Sequence, residues 1–494
     1  MKKENLISFF KQKIDLPLLL FLVFFFDVKI VVKLVALVFI ILYDRNRDFG
    51  LSWKRSRLPL FYLLIIVVEL LKYVAVTRNY SLNYLLVFSM GILQWGMCLL
   101  AIHHVKLGVD RNTPEKMHNT IRAFFGINAL VSFFFLALLI FHPAWLSYWG
   151  HGTDLTFFHP SAGDAIIGVC FDASSVNATL NCLGLLYFLY KGDLRFALVC
   201  IVVLAICTSN VAFLFTMCAL LLMILTVRQK RLRKHTILAT LLLGVTYTVI
   251  SPSNRIYLRT YFTQLYILNK NPELVDSAKA TTIRRDTLYA VDKGRLTSAA
   301  DNLLHFSYAD TKHGAENTTD SSSYPQVSAK DYLTKPGKLV SFLQTGLYLI
   351  SSPGHLVFGS GVGNFSSKLA FRASGVRALG SYPAKYTYAS PEFRFNHLKT
   401  YLFYNNMEAS KHSVVNYPYS VYNQLLGEYG LIGGLLFAVF YLGYFFVRRD
   451  RLSYGRYMLV VVLGFFAAEY WFEFFSLIVL FELFMLLNIK EGRT

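Results

Sequence analysis

The sequence predicts an all-α, polytopic membrane protein with about twelve transmembrane helices and one large non-cytoplasmic loop that contains amphipathic helices. Three observations support this fold class. Hydrophobic residues make up 55% of the 494 residues and charged residues only 16%, whereas about 25% of a soluble domain is charged. The apolar residues are concentrated in runs that short basic segments separate. One long stretch, residues 251–420, is much more polar than the runs around it.

Nine spans are predicted before the long stretch. Short loops rich in Lys and Arg face the cytoplasm, so basic flanks fix the direction of each span. The apolar regions 14–43 and 196–227 have basic residues at both ends and are each predicted to hold two spans, the second pair turning at residues 208–210. The other predicted spans cover residues 58–76, 84–105, 123–141, 165–190 and 236–250.

Three further spans are predicted after the long stretch, one at residues 430–447 and two within residues 457–489. With twelve spans, both termini are expected in the cytoplasm and the long stretch on the opposite face. The predicted organisation is an N-terminal bundle at residues 1–250, an extracytoplasmic loop at residues 251–420, and C-terminal transmembrane helices at residues 421–494.

The charge of the chain indicates a membrane and an anionic partner. The net charge of +20 lies largely in short loops beside apolar runs, so we predict no nucleic-acid partner. The long loop itself carries 19 Lys and Arg against 11 Asp and Glu. A basic surface attracts phosphate, uronate or lipid headgroups, and simple contact with anionic membrane lipid is the alternative. All six cysteines fall in apolar runs, so we predict no disulfide framework for the loop and no cysteine metal site.

Several polar or amphipathic stretches stand out. Two helical faces are predicted in the loop: Arg284, Leu288, Val291 and Arg295 share one, and Leu339, Phe342, Leu343, Leu347 and Ile350 form an apolar stripe suited to the membrane surface or to the spans. The segment SSPGHLVFGSGVGNF, residues 351–365, has three closely spaced glycines that permit tight turns near a ligand. The sixth span is polar in its first half, and the helix that closes the loop, residues 422–437, carries Asn423 and Glu428.

Three of these stretches resemble, in order, motifs of the O-antigen ligase and polysaccharide repeat-unit polymerase superfamily of bacterial envelopes. GVCFDASSVNA, residues 168–178, is similar to the family's glycine–aromatic–(Asp/Asn)–Asn–small pattern. GHLVFGSGVGNF, residues 354–365, is similar to its P-x-x-G-x-G-x-x-x-F element. YNQLLGEYGLIGGLLF, residues 422–437, is similar to the helix after its large outer loop. The number of spans agrees too, so the resemblance covers nearly the whole chain.

The resemblance implies a GT-C-like enzyme of the bacterial cytoplasmic membrane that builds a surface polysaccharide, such as O-antigen, capsule or exopolysaccharide. Its substrate would be an oligosaccharide linked to undecaprenyl diphosphate, transferred on the extracytoplasmic face to an acceptor sugar hydroxyl. No metal or other cofactor is implied. The implied partners are this lipid-linked oligosaccharide, membrane lipids, and a chain-length regulator and a flippase of the same pathway.

The implied reaction assigns roles to residues of this sequence. A base must take the acceptor proton, and Glu428 and His412 are the candidates. The candidates for binding the diphosphate or the glycan are Asp172, Asn177, Arg255, Arg259, Arg284, Arg285, Arg295, Lys338 and Asn423. Gly359, Gly361, Gly363 and Asn364 are expected to shape the loop. For each of these residues, packing or a solvated surface charge is the alternative role.

Two alternative functions remain open at this point. A polymerase is favoured over a ligase because Tyr422 stands where many family members carry His before the Asn at position 423. A lipid-linked glycan flippase or another transporter is the alternative from a different class. The size of the outer loop and the lack of a visible internal repeat in the sequence argue against a transporter.

Overall fold

A computed structural model of the chain describes residues 13–27, 29–44, 58–77, 79–142, 144–145, 162–171, 173–250, 327, 331–332, 335–376, 382–405 and 414–493. This part of the chain is helical and contains no strands, as predicted. The helices before the long loop are α1 (Leu16–Phe25), α2 (Ile30–Asp44), α3 (Pro59–Lys72), α4 (Leu82–Arg111), α5 (Pro114–Phe141), α6 (Ser174–Lys191), α7 (Leu194–Ile206), α8 (Asn210–Thr226) and α9 (Lys230–Ile250).

The second half begins with five short helices from the predicted loop and ends with the C-terminal helices. They are α10 (Gly337–Ile350), α11 (Pro353–Phe358), α12 (Lys368–Ala373), α13 (Pro391–Phe393), α14 (Lys399–Asn405), α15 (Val421–Leu436), α16 (Gly443–Phe446), α17 (Gly455–Ala468), α18 (Trp471–Phe474) and α19 (Ser476–Glu491). Two π-helical segments, Arg394–Leu398 and Phe437–Leu442, join α13 to α14 and α15 to α16.

Each of the twelve predicted apolar segments contains a helix. Among the described residues, three helices are long and apolar enough to cross a membrane: Leu82–Arg111, Pro114–Phe141 and Val421–Phe446. Five shorter apolar helices accompany them. The predicted turn between the seventh and eighth segments is confirmed, because α7 ends at Ile206 and Thr208 adopts φ 52° before α8 begins. The chain thus has the helices of a membrane protein.

The sixth predicted segment begins later than expected. The predicted start of this span instead contains two short 3₁₀ helices, Ala162–Ala165 and Gly168–Cys170, and α6 begins only at Ser174. Gly168 and Phe171 both have positive φ, 60° and 46°, which an α-helix does not permit. A side-chain carbonyl of Asn128 accepts a hydrogen bond from the N–H of Val169 and holds this turn against α5.

The core is organised around two helices that are buried on nearly every side, α6 and α19. Every residue of α19 from Ser476 to Ile489 is buried, and so is nearly all of α6. A helix that is apolar all round is expected in the interior of a bundle. Aromatic rings pack between these helices. The ring centroids of Tyr187 in α6 and Phe484 in α19 are 4.8 Å apart.

The helix α15 is kinked at Gly430, where φ is 63° and ψ is −158°. This backbone conformation is nearly exclusive to glycine. A Cβ atom at Gly430 would lie 2.5 Å from the carbonyl oxygen of Val357, and a Cβ atom at Gly359 would lie 2.6 Å from the nitrogen of Gly430. Two glycines therefore let the end of α11 touch the backbone of α15 directly.

We predict that Gly430→Ala destabilises the protein by at least about 1–3 kcal/mol, because alanine combines backbone strain with this clash. The melting temperature in detergent should fall clearly. Gly434→Ala is the matched control in the same helix, since its Cβ would approach only the flexible end of Leu426. Equal losses in both variants would contradict a special role for the kink.

Candidate functional site

The structure brings most of the described site candidates together. Lys338, Gly359, Gly361, Gly363, Asn364, Asn423 and Glu428 lie where α10, α15 and residues 359–367 meet. We call residues 359–367 the glycine loop. The remaining described candidate, Asn177, belongs to a separate network. Seven candidates fall outside the described residues, and their roles stay predictions: Asp172, Arg255, Arg259, Arg284, Arg285, Arg295 and His412.

The backbone of the glycine loop forms hydrogen bonds with α15 at its kink. Because α15 kinks at Gly430, carbonyl groups before the kink are released from the regular helical pattern. The N–H of Ser360 donates to the carbonyl oxygen of Gly427 at 2.9 Å, and the N–H of Gly361 donates to that of Glu428 at 2.8 Å. The released carbonyls are thus satisfied by the backbone of the loop.

Lys72 at the end of α3 reinforces this junction. Its Nζ donates to the carbonyl oxygens of Phe358, at 2.5 Å, and of Glu428, at 2.9 Å. Lys72 is 4% exposed, so its charge is held almost entirely inside the protein. A cation beside the carbonyl end of a helix segment is stabilised by the helix dipole.

The carboxylate of Glu428 binds the far side of the same loop. Its Oε1 accepts hydrogen bonds from the N–H groups of Phe365, at 3.4 Å, and Ser366, at 3.1 Å. The Glu428 side chain is fully buried. In this structure the predicted base therefore positions the backbone of the glycine loop.

Two more buried carboxylates bind the same stretch of backbone. Glu69 Oε2 accepts from the N–H of Val362 at 3.2 Å. Glu473 accepts from the N–H of Leu369 at 3.3 Å and from the N–H of Lys368 at the start of α12. Carboxylates favour the N-terminus of a helix, where N–H groups lack helical partners. The glycine loop and the start of α12 that follows it are held by one acidic side chain from each of three helices: α3, α15 and α18.

The loop glycines make tight turns, as predicted, but the atoms they approach belong to the protein. Gly361 and Gly363 have φ of 98° and 72°. A Cβ at Gly363 would lie 2.4 Å from a methyl group of Val87 in α4. Asn364 Nδ2 donates to the hydroxyl of Tyr84 at 3.1 Å, and the hydroxyl of Tyr388 donates to Asn364 Oδ1 at 3.0 Å. These residues shape the loop by fixing it to α4.

A buried histidine connects the loop to α10. His397 Nδ1 lies 2.7 Å from the hydroxyl of Ser366, and its Nε2 lies 3.2 Å from the carbonyl oxygen of Ser341. A carbonyl oxygen can only accept, so Nε2 carries the hydrogen and Nδ1 accepts from Ser366. Burial lowers the pKa of His397 to about 3, which keeps the ring neutral near pH 7.

Asn423 completes this polar network from the side of α15. Its Oδ1 accepts from the hydroxyl of Thr345 at 2.9 Å, and its Nδ2 donates to the hydroxyl of Ser341 at 3.0 Å. The Thr345 hydroxyl also lies 3.3 Å from His397 Nε2. Asn423 and His397 are both fully buried, so in this structure Asn423 binds α10.

Lys338 anchors the first turn of α10. Its Nζ donates to the carbonyl oxygens of Tyr419, at 2.5 Å, and Ala468, at 3.0 Å. An ammonium group has three hydrogens, so two of them are engaged by backbone. Burial lowers the pKa of Lys338 to about 7, and the nearby Glu469 carboxylate opposes this shift.

Asn177 lies in a different polar network, between α5, α6 and the 3₁₀ turn. Its Oδ1 accepts from Asn128 Nδ2 at 2.9 Å, and its Nδ2 donates to the Ser132 hydroxyl and to the carbonyl oxygen of Ile166, both at 3.0 Å. A Cβ at Gly168 would lie 2.7 Å from the Asn177 amide. Asn177 is fully buried and its contacts are those of a packing residue.

Three residues of this region, Glu69, Glu473 and His397, are not among the site residues predicted from the sequence. The two acidic residues could have been identified from the sequence, because a charged side chain in an apolar segment costs free energy unless it is paired. His397 could not have been identified from the sequence, since its partner Ser366 is 31 positions away. Within the described ranges, no group of three or more His, Cys, Asp or Glu side chains is placed to hold a metal ion.

No family model, no curated protein and no solved structure matches this chain. The described part of the site is a closed arrangement: buried carboxylates, amides and one neutral imidazole hold a loop against a kinked helix.

The lowered pKa of Lys338 predicts a pH dependence of stability. The unfolded chain has the ordinary lysine pKa of about 10.4, so between about pH 7 and 10 it binds more protons than the folded chain, and this residue makes stability rise with pH. The melting temperature of the wild type relative to Lys338→Met should therefore increase from pH 7 to pH 9. Lys385→Met, which changes an exposed lysine, is the control. If the difference in melting temperature between the wild type and Lys338→Met does not change with pH, the assignment is wrong.

Proposed function

We propose that the chain is a membrane glycosyltransferase that polymerises lipid-linked oligosaccharide repeat units at the extracytoplasmic face of a bacterial cytoplasmic membrane. The donor in this proposal is glycan on undecaprenyl diphosphate, and the acceptor is a sugar hydroxyl of another repeat unit. The product is a surface polysaccharide. A GT-C-like arrangement of twelve spans with cytoplasmic termini is part of the proposal.

One observation carries the proposal. Two of the three stretches that resemble the polymerase and ligase superfamily form a single unit in space. The glycine loop and α15 share backbone hydrogen bonds of 2.9 Å, from Ser360 to Gly427, and 2.8 Å, from Gly361 to Glu428. These contacts join segments 67 residues apart in the sequence. Motifs found separately in a sequence support a common function more strongly when they contact each other.

The chemistry of the proposed reaction assigns different tasks to different residues. The acceptor oxygen forms a bond to the anomeric carbon while the bond from that carbon to the diphosphate breaks. The hydroxyl proton passes to a base, and the lipid diphosphate leaves with its negative charge. Arginines suit this leaving group because they bind phosphate through two parallel hydrogen bonds. Arg284, Arg285 and Arg295 are the proposed ligands, with Arg255 and Arg259 next.

The described residues refine the roles of three candidates. Glu428 and Asn423 use their side chains to hold the glycine loop and α10, so we assign them positioning roles. Lys338 is engaged by two carbonyl oxygens and anchors α10. His412 remains the proposed base.

A lipid-linked glycan flippase is the second candidate, and the kink in α15 favours it. Discontinuous helices with released carbonyls often form the binding sites of transporters. In this chain, however, the released carbonyl of Glu428 already accepts from Gly361 and from Lys72. The released carbonyl at the kink of α15 is thus already bound within the protein, which favours the glycosyltransferase over the flippase.

The test of the function is deletion of the gene and sizing of the surface glycan. Loss of long chains with accumulation of single repeat units is expected for a polymerase. Chains of normal length that remain on the lipid carrier would identify a ligase instead. Precursor trapped on the cytoplasmic side would overturn both and identify a flippase.

We predict that Arg284→Ala combined with Arg295→Ala abolishes chain extension, because the leaving diphosphate loses its positive partners. Glycan length on gels and protein abundance in membranes are the two measurements. Arg231→Ala combined with Arg233→Ala is the matched control, since both are exposed arginines at the start of α9. Unaltered glycan length in the first variant would remove these arginines from the site.

The positioning role of Glu428 predicts different outcomes for two substitutions. Glu428→Gln keeps a carbonyl oxygen that can accept from Ser366, so glycan length should stay near that of the wild type. Glu428→Ala leaves buried N–H groups unpaired at a cost of about 1–3 kcal/mol each, and should lower both melting temperature and glycan length. Complete loss of polymer in Glu428→Gln at an unchanged melting temperature would identify Glu428 as the base.

A further inference from the structure

The helix α10 is polar on its inner face and apolar on its outer face. The buried residues include Ser341, Gln344 and Thr345. The outward positions Leu339, Leu343 and Ile350 are 46%, 38% and 76% exposed. A helix on the surface of a water-soluble domain has the opposite arrangement. Three members of the predicted apolar stripe, Leu339, Leu343 and Ile350, are therefore exposed, whereas Phe342 and Leu347 are partly buried.

The orientation of α10 is fixed by its inner face. Thr345 donates to Asn423 at 2.9 Å, and Asn423 donates back to Ser341 at 3.0 Å. Gln344 accepts from the hydroxyl of Thr400 at 2.7 Å. Rotating the helix to bury its leucines would break all of these buried hydrogen bonds at about 1–3 kcal/mol for each unsatisfied group.

The apolar outer surface continues onto helices that have the composition of membrane spans. Val357 and Phe358 of α11 are exposed, and the next residue, Gly359, touches α15 at its kink. Leu431 and Leu435, just beyond that kink, are exposed as well, and they belong to the candidate membrane span Val421–Phe446.

The helix α10 is too short to cross a membrane. With 14 residues, α10 is only about 21 Å long at about 1.5 Å per residue, short of the roughly 30 Å of hydrocarbon. Gly430 lies about 14 Å along α15 from its first residue, at about 1.5 Å per residue. The end of α11 therefore contacts this candidate span at Gly430, more than two helical turns after its first residue.

The turn between α10 and α11 is suited to an apolar environment. The hydroxyl of Ser351 donates to the carbonyl oxygen of Tyr348 at 2.6 Å. The hydroxyl of Ser352 accepts from the N–H of His355 at 3.1 Å. Polar groups near lipid must find partners within the protein, and these two hydroxyls have them.

We propose that the outer face of α10 and α11 is a lipid-contacting surface that lies among the acyl chains of the bilayer leaflet on the side of the long loop. Leu339, Leu343, Ile350, Val357 and Phe358 form this surface. The segment 337–358 then belongs to the membrane-embedded part of the protein, although it lies within the extracytoplasmic loop of residues 251–420 that the sequence predicts. This proposal does not depend on the glycosyltransferase reaction.

The test uses nitroxide labels at single cysteines in the full chain, reconstituted in phosphatidylcholine–phosphatidylglycerol vesicles. Cys218→Ser is the background, because Cys218 is exposed and the other five cysteines are buried. Leu343→Cys and Ile350→Cys report on α10. Leu435→Cys is the lipid-facing control, and Lys385→Cys is the exposed polar control from the loop.

Power saturation with oxygen, which partitions into lipid, and with a water-soluble nickel chelate separates the outcomes. Labels at positions 343 and 350 should be several-fold more accessible to oxygen than to nickel, as at position 435. Nickel accessibility equal to that at position 385 would overturn the proposal in favour of water. Protection from both reagents would overturn it in favour of a protein partner or a second copy. Val357→Cys replaces either variant whose melting temperature changes.

Discussion

The contact between the glycine loop and the kinked helix α15 is the constraint on which the rest of the region depends. It requires glycine on both sides, at positions 359 and 430, because a Cβ on either would meet backbone atoms at about 2.6 Å. The kink releases carbonyl groups that the loop must satisfy, and the loop in turn exposes N–H groups that need acceptors. The loop therefore provides N–H donors for the released carbonyl groups of α15, and α15 provides an acceptor side chain for N–H groups of the loop.

This reciprocal need explains the acidic residues buried in an otherwise apolar protein. An unpaired N–H group inside a membrane protein costs free energy that no water relieves. Glu69 and Glu428 accept from the loop backbone, and Glu473 accepts from the start of α12 that follows it. Lys72 binds the released carbonyl of Glu428. The buried acidic side chains thus connect three separate helices to one stretch of backbone.

The same region bears on function in two ways. It joins two motif-like stretches into one rigid element, to which the polar inner face of α10 is bound through Asn423 and His397. It also leaves the outer face of α10 apolar and exposed. Under the proposed function, this region would support the basic loop residues that are proposed to bind the lipid-linked diphosphate. The network around Asn177 stabilises a separate part of the bundle.

The helical class, the twelve apolar segments and the turn at Thr208 could be predicted from the sequence, because hydrophobic composition and basic flanks act locally. It also indicated the tight glycine turns and the apolar stripe of α10. The tertiary structure was needed to show that Leu339, Leu343 and Ile350 are exposed, that the glycines approach α4 and α15, and that His397 contacts Ser366. Periodicity shows which residues share a face, whereas the partner of that face comes from segments far away in the chain.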